Sequence, residues 1–492
     1  MTRNSTFALF AVVAAGCSHL PSVGPDYEEP ALAPALDELP DAGQPTDRLA
    51  ASGDYIPAEG EADLRKVLSS ESLVRWWERF NDPVLNDLVE GALTNNLGYC
   101  MALSRLDQAN WELLGSGAAF LPKFSARGAW NRNWFHEDTR SAGGVDTRYN
   151  LASAGLDGNW EIDIFGGNRR LVESALAQAE AAKWTAEDAW VSLTTQIGAQ
   201  YVSLRTTQEL IEVARTNLVL QSETYEILKS RQESGIGDAL AVNQCAYVVE
   251  QTRARLPQML AQEEEIMNSL AILAGETPGS LHERLRRPDT ARDWLVEPVR
   301  LGEMPLDLIR LRPDVRAAER ALAAQTARIG VAESSWFPKF FISGSVGFEN
   351  NHSTKLFKKE SFLASLGPAV SWPIFQGGAI YANVKVQEAK TAELADAYAL
   401  AVDTACSQVR SAYSAYTLEY HRQQALKAAV KAASDALQIS QDLYKNGLRD
   451  FNNVLDAQRS RLQLEEEAVV SRGRITSDLI DLYRALGGGA AR

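Results

Sequence analysis

The residue best placed for covalent chemistry is Cys17. It follows a short basic start, Met1-Thr2-Arg3, an apolar run from Phe7 to Ala15, and Gly16. That order is the order of a secretory signal, so residues 1–16 are expected to be removed and the mature chain to begin at Cys17. A small-small-Cys ending resembles a bacterial lipobox, with Ala14 standing where Leu is usual. The chemistry would be transfer of a diacylglyceryl group to the thiol and of a further acyl chain, such as palmitate, to the new amino terminus. At about 0.8 kcal/mol per buried CH2, several acyl chains would hold the protein on a membrane. Ser18 after the cysteine resembles an outer-membrane address. The alternative is a secreted protein with a free thiol at position 17. Elsewhere Cys100, Cys245 and Cys406 are scattered and form no CxxC pair. The five histidines, His19, His136, His282, His352 and His421, share no ligand spacing, and there is neither a Walker loop nor a GxSxG elbow. No enzyme activity and no cofactor beyond a lipid on Cys17 is expected.

The elements that carry the rest of the chain are unusual. Its 492 residues are 45% hydrophobic, which is ample for a core, and the formal charge of -15 repels nucleic-acid phosphates, so no nucleic-acid partner is expected. Residues 28 to about 68 are rich in Ala, Pro, Asp, Glu and Gly without a sustained apolar period and read as an extended tether. After the signal no stretch of about 20 apolar residues occurs, so a membrane crossing would have to be made by strands.

The two halves of the chain answer to each other. Phe120-Leu121-Pro122-Lys123-Phe124 matches Trp336-Phe337-Pro338-Lys339-Phe340, and Trp160 followed by Gly166-Gly167 matches Trp372 followed by Gly377-Gly378. Further on, the turn from Arg231 through Gly235 to Ile236 matches that from Leu443 through Gly447 to Leu448. Each half reads as helix, two strands, long helix, turn, helix. Strands are expected at about 124–134, 149–162, 340–350 and 362–375, with aromatic ends. Four strands cannot close a barrel, for which about eight are needed, so they either form a small soluble sheet or are pooled by several chains. No Pro occurs from Gly166 to Arg255 or from Gly377 to the C-terminus. Helices reaching about 90 Å are therefore expected. Trp190, Ile197, Leu204, Ile211, Leu218 and Tyr225 fall seven apart, as do Val402, Val409 and Tyr416, with Gln423 interrupting before Val430, Leu437 and Tyr444. This is coiled-coil spacing. Gln423 reads either as a solvated position or as a register device. The expected divisions are a signal (1–16), a lipidated tether (17–70), a first repeat (71–278), a connector (279–304) and a second repeat (305–492).

Several motifs in order resemble the outer-membrane factor family, of TolC and OprM type, and its NodT-like efflux lipoprotein branch. They are Val23-Gly24-Pro25-Asp26-Tyr27, Trp76-Trp77 through Phe80-Asn81-Asp82-Pro83, Leu311-Arg312-Pro313-Asp314, Leu455-Asp456-Ala457-Gln458 and Leu486-Gly487-Gly488-Gly489. The resemblance implies a mainly α fold with a membrane β-barrel: a homotrimer with a twelve-stranded barrel, a twelve-helix periplasmic tunnel and a mixed equatorial belt. It implies a passive exit duct in the outer membrane, docked through a periplasmic adaptor to an inner-membrane pump and exporting small molecules such as drugs. Within that class a type I protein-secretion duct is the alternative, and outside it a lipid-anchored periplasmic coiled-coil spacer.

The resemblance also implies a periplasmic gate. Tyr444, Arg449, Asp450, Asn452, Asn453 and Asp456 match its region, and three symmetry-related Asp456 carboxylates would ring the axis and attract a cation. The other reading of Asp456 is a solvated charge in the first turns of a helix. Ala241 stands where the family has an acid, leaving Asp238 or Asp450 as possible partners for Arg449. Gly235, Gly237 and Gly447 resemble the adaptor-docking turns, and Gly235 and Gly447 are expected at positive φ.

Overall fold

The computed structural model describes residues 22–30, 62–63, 74–134, 148–286, 299–300 and 309–488. Cys17 and much of the stretches 17–70 and 279–304 lie outside the described residues. In chain order the elements begin with strand β1 (Ala62–Asp63), a 3-10 segment Trp76–Phe80, helices α1 (Pro83–Asn95) and α2 (Leu97–Gly117), and strands β2 (Lys123–Trp134) and β3 (Arg148–Ile162). Helices α3 (Gly167–Glu233), α4 (Ala239–Ala274) and the short α5 (His282–Leu285) follow, then β4 (Val299–Arg300) and α6 (Pro313–Ser334). Strands β5 (Lys339–Asn350) and β6 (Phe362–Ser371) and helices α7 (Ala379–Lys445) and α8 (Phe451–Ala485) complete the chain. The succession of helix, two strands, long helix and shorter helix thus occurs twice, and both long helices have 67 residues.

The chain divides into two units. The first takes Arg105–Lys183, Ala317–Tyr398 and the N-terminal stretch. Its strands form one antiparallel sheet in the order β2-β3-β5-β6. The fourth strand ends at Ser371 and not at 375 as expected. Pro373 has no N–H to give to a ladder, and the Trp372 indole instead donates to the Trp336 carbonyl at 3.0 Å. The Trp160 indole makes the same bond to the Phe120 carbonyl at 2.9 Å. Gly166 and Gly378, both at positive φ, stand immediately before α3 and α7. The glycine pairs therefore correspond one position away from the alignment read in the sequence.

Residues 22–30 are fastened to this unit as a clasp. The Val23 N–H donates to the Phe165 carbonyl at 3.1 Å. Arg170, 3% exposed, donates to the carbonyls of Val23 and Gly24 and to Asp26. Tyr27 donates to Glu319 at 2.6 Å and lies beneath the Arg320 guanidinium. Gly24, at φ +94°, crosses Gly330 so closely that a Cβ on it would stand 2.3 Å from the Gly330 Cα. Only glycine allows the crossing.

The second unit takes Trp184–Arg316, Ala399–Arg492 and the residues from 32 to 104. Asp82 starts α1: its carboxylate accepts from the Val84 N–H at 2.8 Å while Pro83 fills the first helical position. The other carboxylate oxygen accepts from Tyr201, whose hydroxyl accepts from Arg205, both at 2.8 Å. Arg205 and Gln208 donate to the Leu285 carbonyl, which holds the first part of the connector on α3. Trp76 is fully buried and stacks on Tyr483 at 5.9 Å. β1 and β4 pair in parallel. Helix α4 runs on through Pro257. On α7, Val402, Val409 and Tyr416 are buried as the spacing predicts, and so is Gln423, at 3% exposure. The solvated reading of Gln423 is overturned, since the coiled-coil stripe carries it inside, where its Oε1 has no hydrogen-bond partner.

Candidate functional site

Two places match the residues singled out above: the faces of the sheet in the first unit and the interhelical turns in the second.

Side chains alternate across a strand, so the pairing register fixes which residues share a face. Phe124 stands opposite Gly158, Trp160 opposite Ile342, Leu156 opposite Val346, and Gly344 opposite Leu366. One face therefore gathers Phe124, Ala126, Trp130, Leu156, Ile342, Val346, Phe348, Phe362, Leu366 and Val370. It is exposed: Phe124 at 77% and Leu366 at 82%. An open hollow of about 640 Å³ runs over it, lined by Phe124, Leu156, Trp160, Ile342, Val346 and Leu366. The opposite face carries Lys123, Ser125, Arg127, Asn131, Asp157, Asn159, Glu161, Ser343, Ser345 and Ser365. Its groups pair across strands, Arg127 with Asp157 at 3.5 Å, Lys339 with Glu161 at 3.1 Å, and Ser343 with Asn159 at 2.9 Å. Arg132, Asn150 and Asn350 on the apolar side and Leu151, Phe341 and Leu363 on the polar side depart from the pattern, and Arg132 lies over the Trp134 ring at the end of its strand. Contiguous exposed apolar surface is rare on proteins that face water and marks a contact with protein or membrane, and a sheet apolar on one face and polar on the other is what a membrane barrel wall requires.

The turns close in the same way in both halves. The Ile236 N–H donates to the Arg231 carbonyl at 3.0 Å and the Leu448 N–H to the Leu443 carbonyl at 2.9 Å. Each turn passes through a left-handed glycine, Gly235 at φ 76° and Gly447 at φ 70°. Gly237 is required for another reason: a Cβ there would meet the Gln232 nitrogen at 2.5 Å. Behind the turns Leu228, Ala241, Val242, Cys245, Leu437, Phe451, Val454 and Leu455 form a buried cluster. Tyr444 packs edge-on against Phe451 at 5.2 Å and lies under the Arg231 guanidinium. Ala241, where the resemblance leads one to expect an acid, serves this apolar packing.

Phe451, Val454 and Leu455 face inward, which leaves Asn452, Asn453 and Asp456 together on the exposed side of the first turns of α8. Among the described residues Asp456, with its side chain 74% exposed, pairs with Arg459 at 3.9 Å, a weak surface pair. Asp238 caps α4 through the Leu240 N–H, and the Asp450 side chain caps nothing. Arg449 forms no ion pair with a described residue of its own chain. Ile236, Leu240 and Leu448 expose most of their apolar surface beside the turns.

No activated nucleophile accompanies these features among the described residues. Burial pushes the Cys245 thiol up to about 11 and raises that of Cys406 as well, which keeps both protonated and inert. The sequence did not announce the clasp or the Asp82–Tyr201–Arg205 chain. Asp82-Pro83 stood in the sequence only as part of a family-like motif, and Tyr201 lies 119 positions from its aspartate.

The sequence profile of the family described as outer membrane efflux protein matches residues 88–276 and 305–488. Nodulation protein T of Rhizobium leguminosarum bv. viciae is 29% identical over 441 residues, covering 89% of this chain and 88% of its own. Outer membrane protein OprJ of Pseudomonas aeruginosa is 29% identical over 491 residues, covering 99% and 97%. The structure of the outer-membrane channel OprN superposes with a TM-score of 0.80 at 29% identity, covering 95% of this chain and 99% of that one.

Proposed function

Because the chain belongs to the outer membrane efflux protein family, we propose that it is the outer-membrane exit duct of a tripartite efflux system. It passes small molecules such as drugs, delivered by an inner-membrane pump through a periplasmic adaptor, and performs no covalent chemistry itself. The observation that carries this reading is the two-faced sheet: its apolar face needs lipid and its polar face needs water.

In this reading three copies pool their strands into a twelve-stranded barrel in the outer membrane, and the long helices of both repeats continue it as a twelve-helix periplasmic tunnel with a mixed belt around it. Residues 1–16 are the removed signal and 17–70 the lipidated tether. Residues 71–278 and 305–492 are two copies of one ancestral unit, joined by the connector 279–304. Acyl chains on Cys17 hold the tether in the membrane.

The turns lie at the periplasmic end. Exposed Ile236 and Leu448 beside Gly235, Gly237 and Gly447 offer the adaptor an apolar surface, the kind that marks a protein contact. Asn452, Asn453 and Asp456, exposed on one face of α8, line the gate, with Tyr444, Arg449 and Asp450 at its turn. Threefold symmetry gathers three Asp456 carboxylates at the axis, where a divalent cation relieves their repulsion.

Single-channel conductance in planar bilayers tests both parts. Small openings blocked by added divalent cations, and enlarged or freed from block by Asp456→Ala, are expected. Large conductance indifferent to the substitution would keep the duct and move the gate. No conductance from folded protein would overturn the duct.

A further inference from the structure

The sheet of one chain has two open edges, β2 and β6, and the chain itself carries the rule for joining them. Its two hairpins are register-identical. Phe124 faces Gly158 in the first, and their repeat counterparts Phe340 and Val370 face each other in the second. Between the hairpins β3 pairs with β5, Trp160 opposite Ile342, Leu156 opposite Val346, and Gly155 opposite Gly347. When every residue of that joint is replaced by its repeat counterpart, β3 becomes β6 and β5 becomes β2. The two edges cannot meet within one four-stranded sheet, so the strand on the other side must come from a second copy.

We propose that β6 of each copy pairs antiparallel with β2 of the next in the register of the β3–β5 joint, placing Pro368 opposite Trp130, Gly367 opposite Asn131 and Leu366 opposite Arg132. This rests on the three-copy barrel proposed above and adds its register. Two observations support it. Gly155 is packed so closely on its neighbour that a Cβ would stand 2.8 Å from the Val346 carbonyl oxygen, and its counterpart in β6 is again a glycine, Gly367. The register also keeps the faces intact, since Trp130, Pro368 and Leu366 stay on the apolar side and Asn131, Gly367 and Ser365 on the polar side. A slip of one residue would bury polar groups in lipid.

The rule fixes the bore as well. Phe124 faces Gly158 and Gly158 faces Gly344, four residues beyond Phe340, the counterpart of Phe124. Each sideways step of ~4.8 Å thus slips by about two residues, or ~6.6 Å, which tilts the strands by roughly 54°. This is steeper than the ~35–45° of most outer-membrane barrels, and twelve strands so tilted close at a backbone diameter of roughly 30 Å.

Cysteine pairs on the polar face read the register in intact outer membranes under copper-phenanthroline oxidation. Asn131→Cys with Gly367→Cys is expected to give covalent dimers and trimers, with none from either single variant. Shifting the second cysteine to Ala369→Cys or Ser365→Cys should slow the reaction several-fold. Ala129→Cys with Ala369→Cys reads the same register if a cysteine at 367 prevents assembly. Fastest reaction by a shifted pair would overturn the register and leave the shared barrel standing. Absence of any intermolecular adduct from membrane-inserted protein in all these pairs would overturn the shared barrel as well.

Discussion

Asp478, on α8, is a carboxylate in the wrong surroundings. Burial first, and then the charges of Glu419 on α7 and Asp481 on α8, push it up to about 6, with Arg474 only partly opposing them. The folded chain therefore holds a proton that the unfolded chain has released, in the window between the ordinary aspartate value near ~4 and about 6. This group's contribution to stability is fully favourable below that window and is lost as pH rises through it. Asp478→Asn should accordingly unfold at a higher temperature than the parent at pH 8, and the difference should vanish by about pH 4. A thermal-unfolding series across pH checks it, and a constant difference at every pH would refute the assignment. Nothing in the sequence around position 478 shows this, because Glu419 comes from another helix. The same reason hid the partners of Tyr201. Residues whose meaning is local were readable: Gly235 and Gly447 by their turns.

At the scale of elements, periodicity carried the reading and ends escaped it. All four strands fall where alternation and aromatic ends put them, and both long helices run without a break between glycine turns. The fourth strand stops early because a proline ends its ladder, which alternation alone does not register. The heptad stripe predicted the buried side of α7 but not that Gln423 would be carried inside with it. The clasp was legible only as a motif, since its bonds join residues 22–30 to α3 and α6. Those bonds converge on Arg170, whose guanidinium serves two backbone carbonyls and Asp26 at once. Arg170→Ala would remove two hydrogen bonds from a charged donor to half-buried carbonyls, each worth about 1.5–3 kcal/mol at most where water takes the donor's place. The clasp should then open locally. Hydrogen exchange at the Val23 amide, bonded to the Phe165 carbonyl, is expected to accelerate strongly while amides in the sheet stay protected. Unchanged exchange at Val23 would mean that the backbone crossing at Gly330 holds the clasp without the arginine.

At the scale of the molecule, the decisive property is that adjacent residues of β6 face different solvents. Ser365 bonds to Ser345 on the polar side at 2.8 Å, while Leu366 stands 82% exposed on the apolar side. In a soluble spacer both positions would be surface, and arginine at either would cost little. In a membrane barrel the two substitutions must diverge. Leu366→Arg puts a guanidinium on the lipid side, at a cost that rises with depth toward about 2–4 kcal/mol at the midplane, and a trimer incurs that cost three times. Heat-resistant oligomer should be lost from the outer membrane. Ser365→Arg places its charge in the aqueous bore, where it should assemble as the parent does and shift the conductance toward anions, because three added cations line one ring of the duct. Gel migration of unheated samples and reversal potentials in asymmetric salt read the two outcomes. Equal tolerance of both arginines would remove the membrane from the account of this sheet, and with it the reason for its two faces.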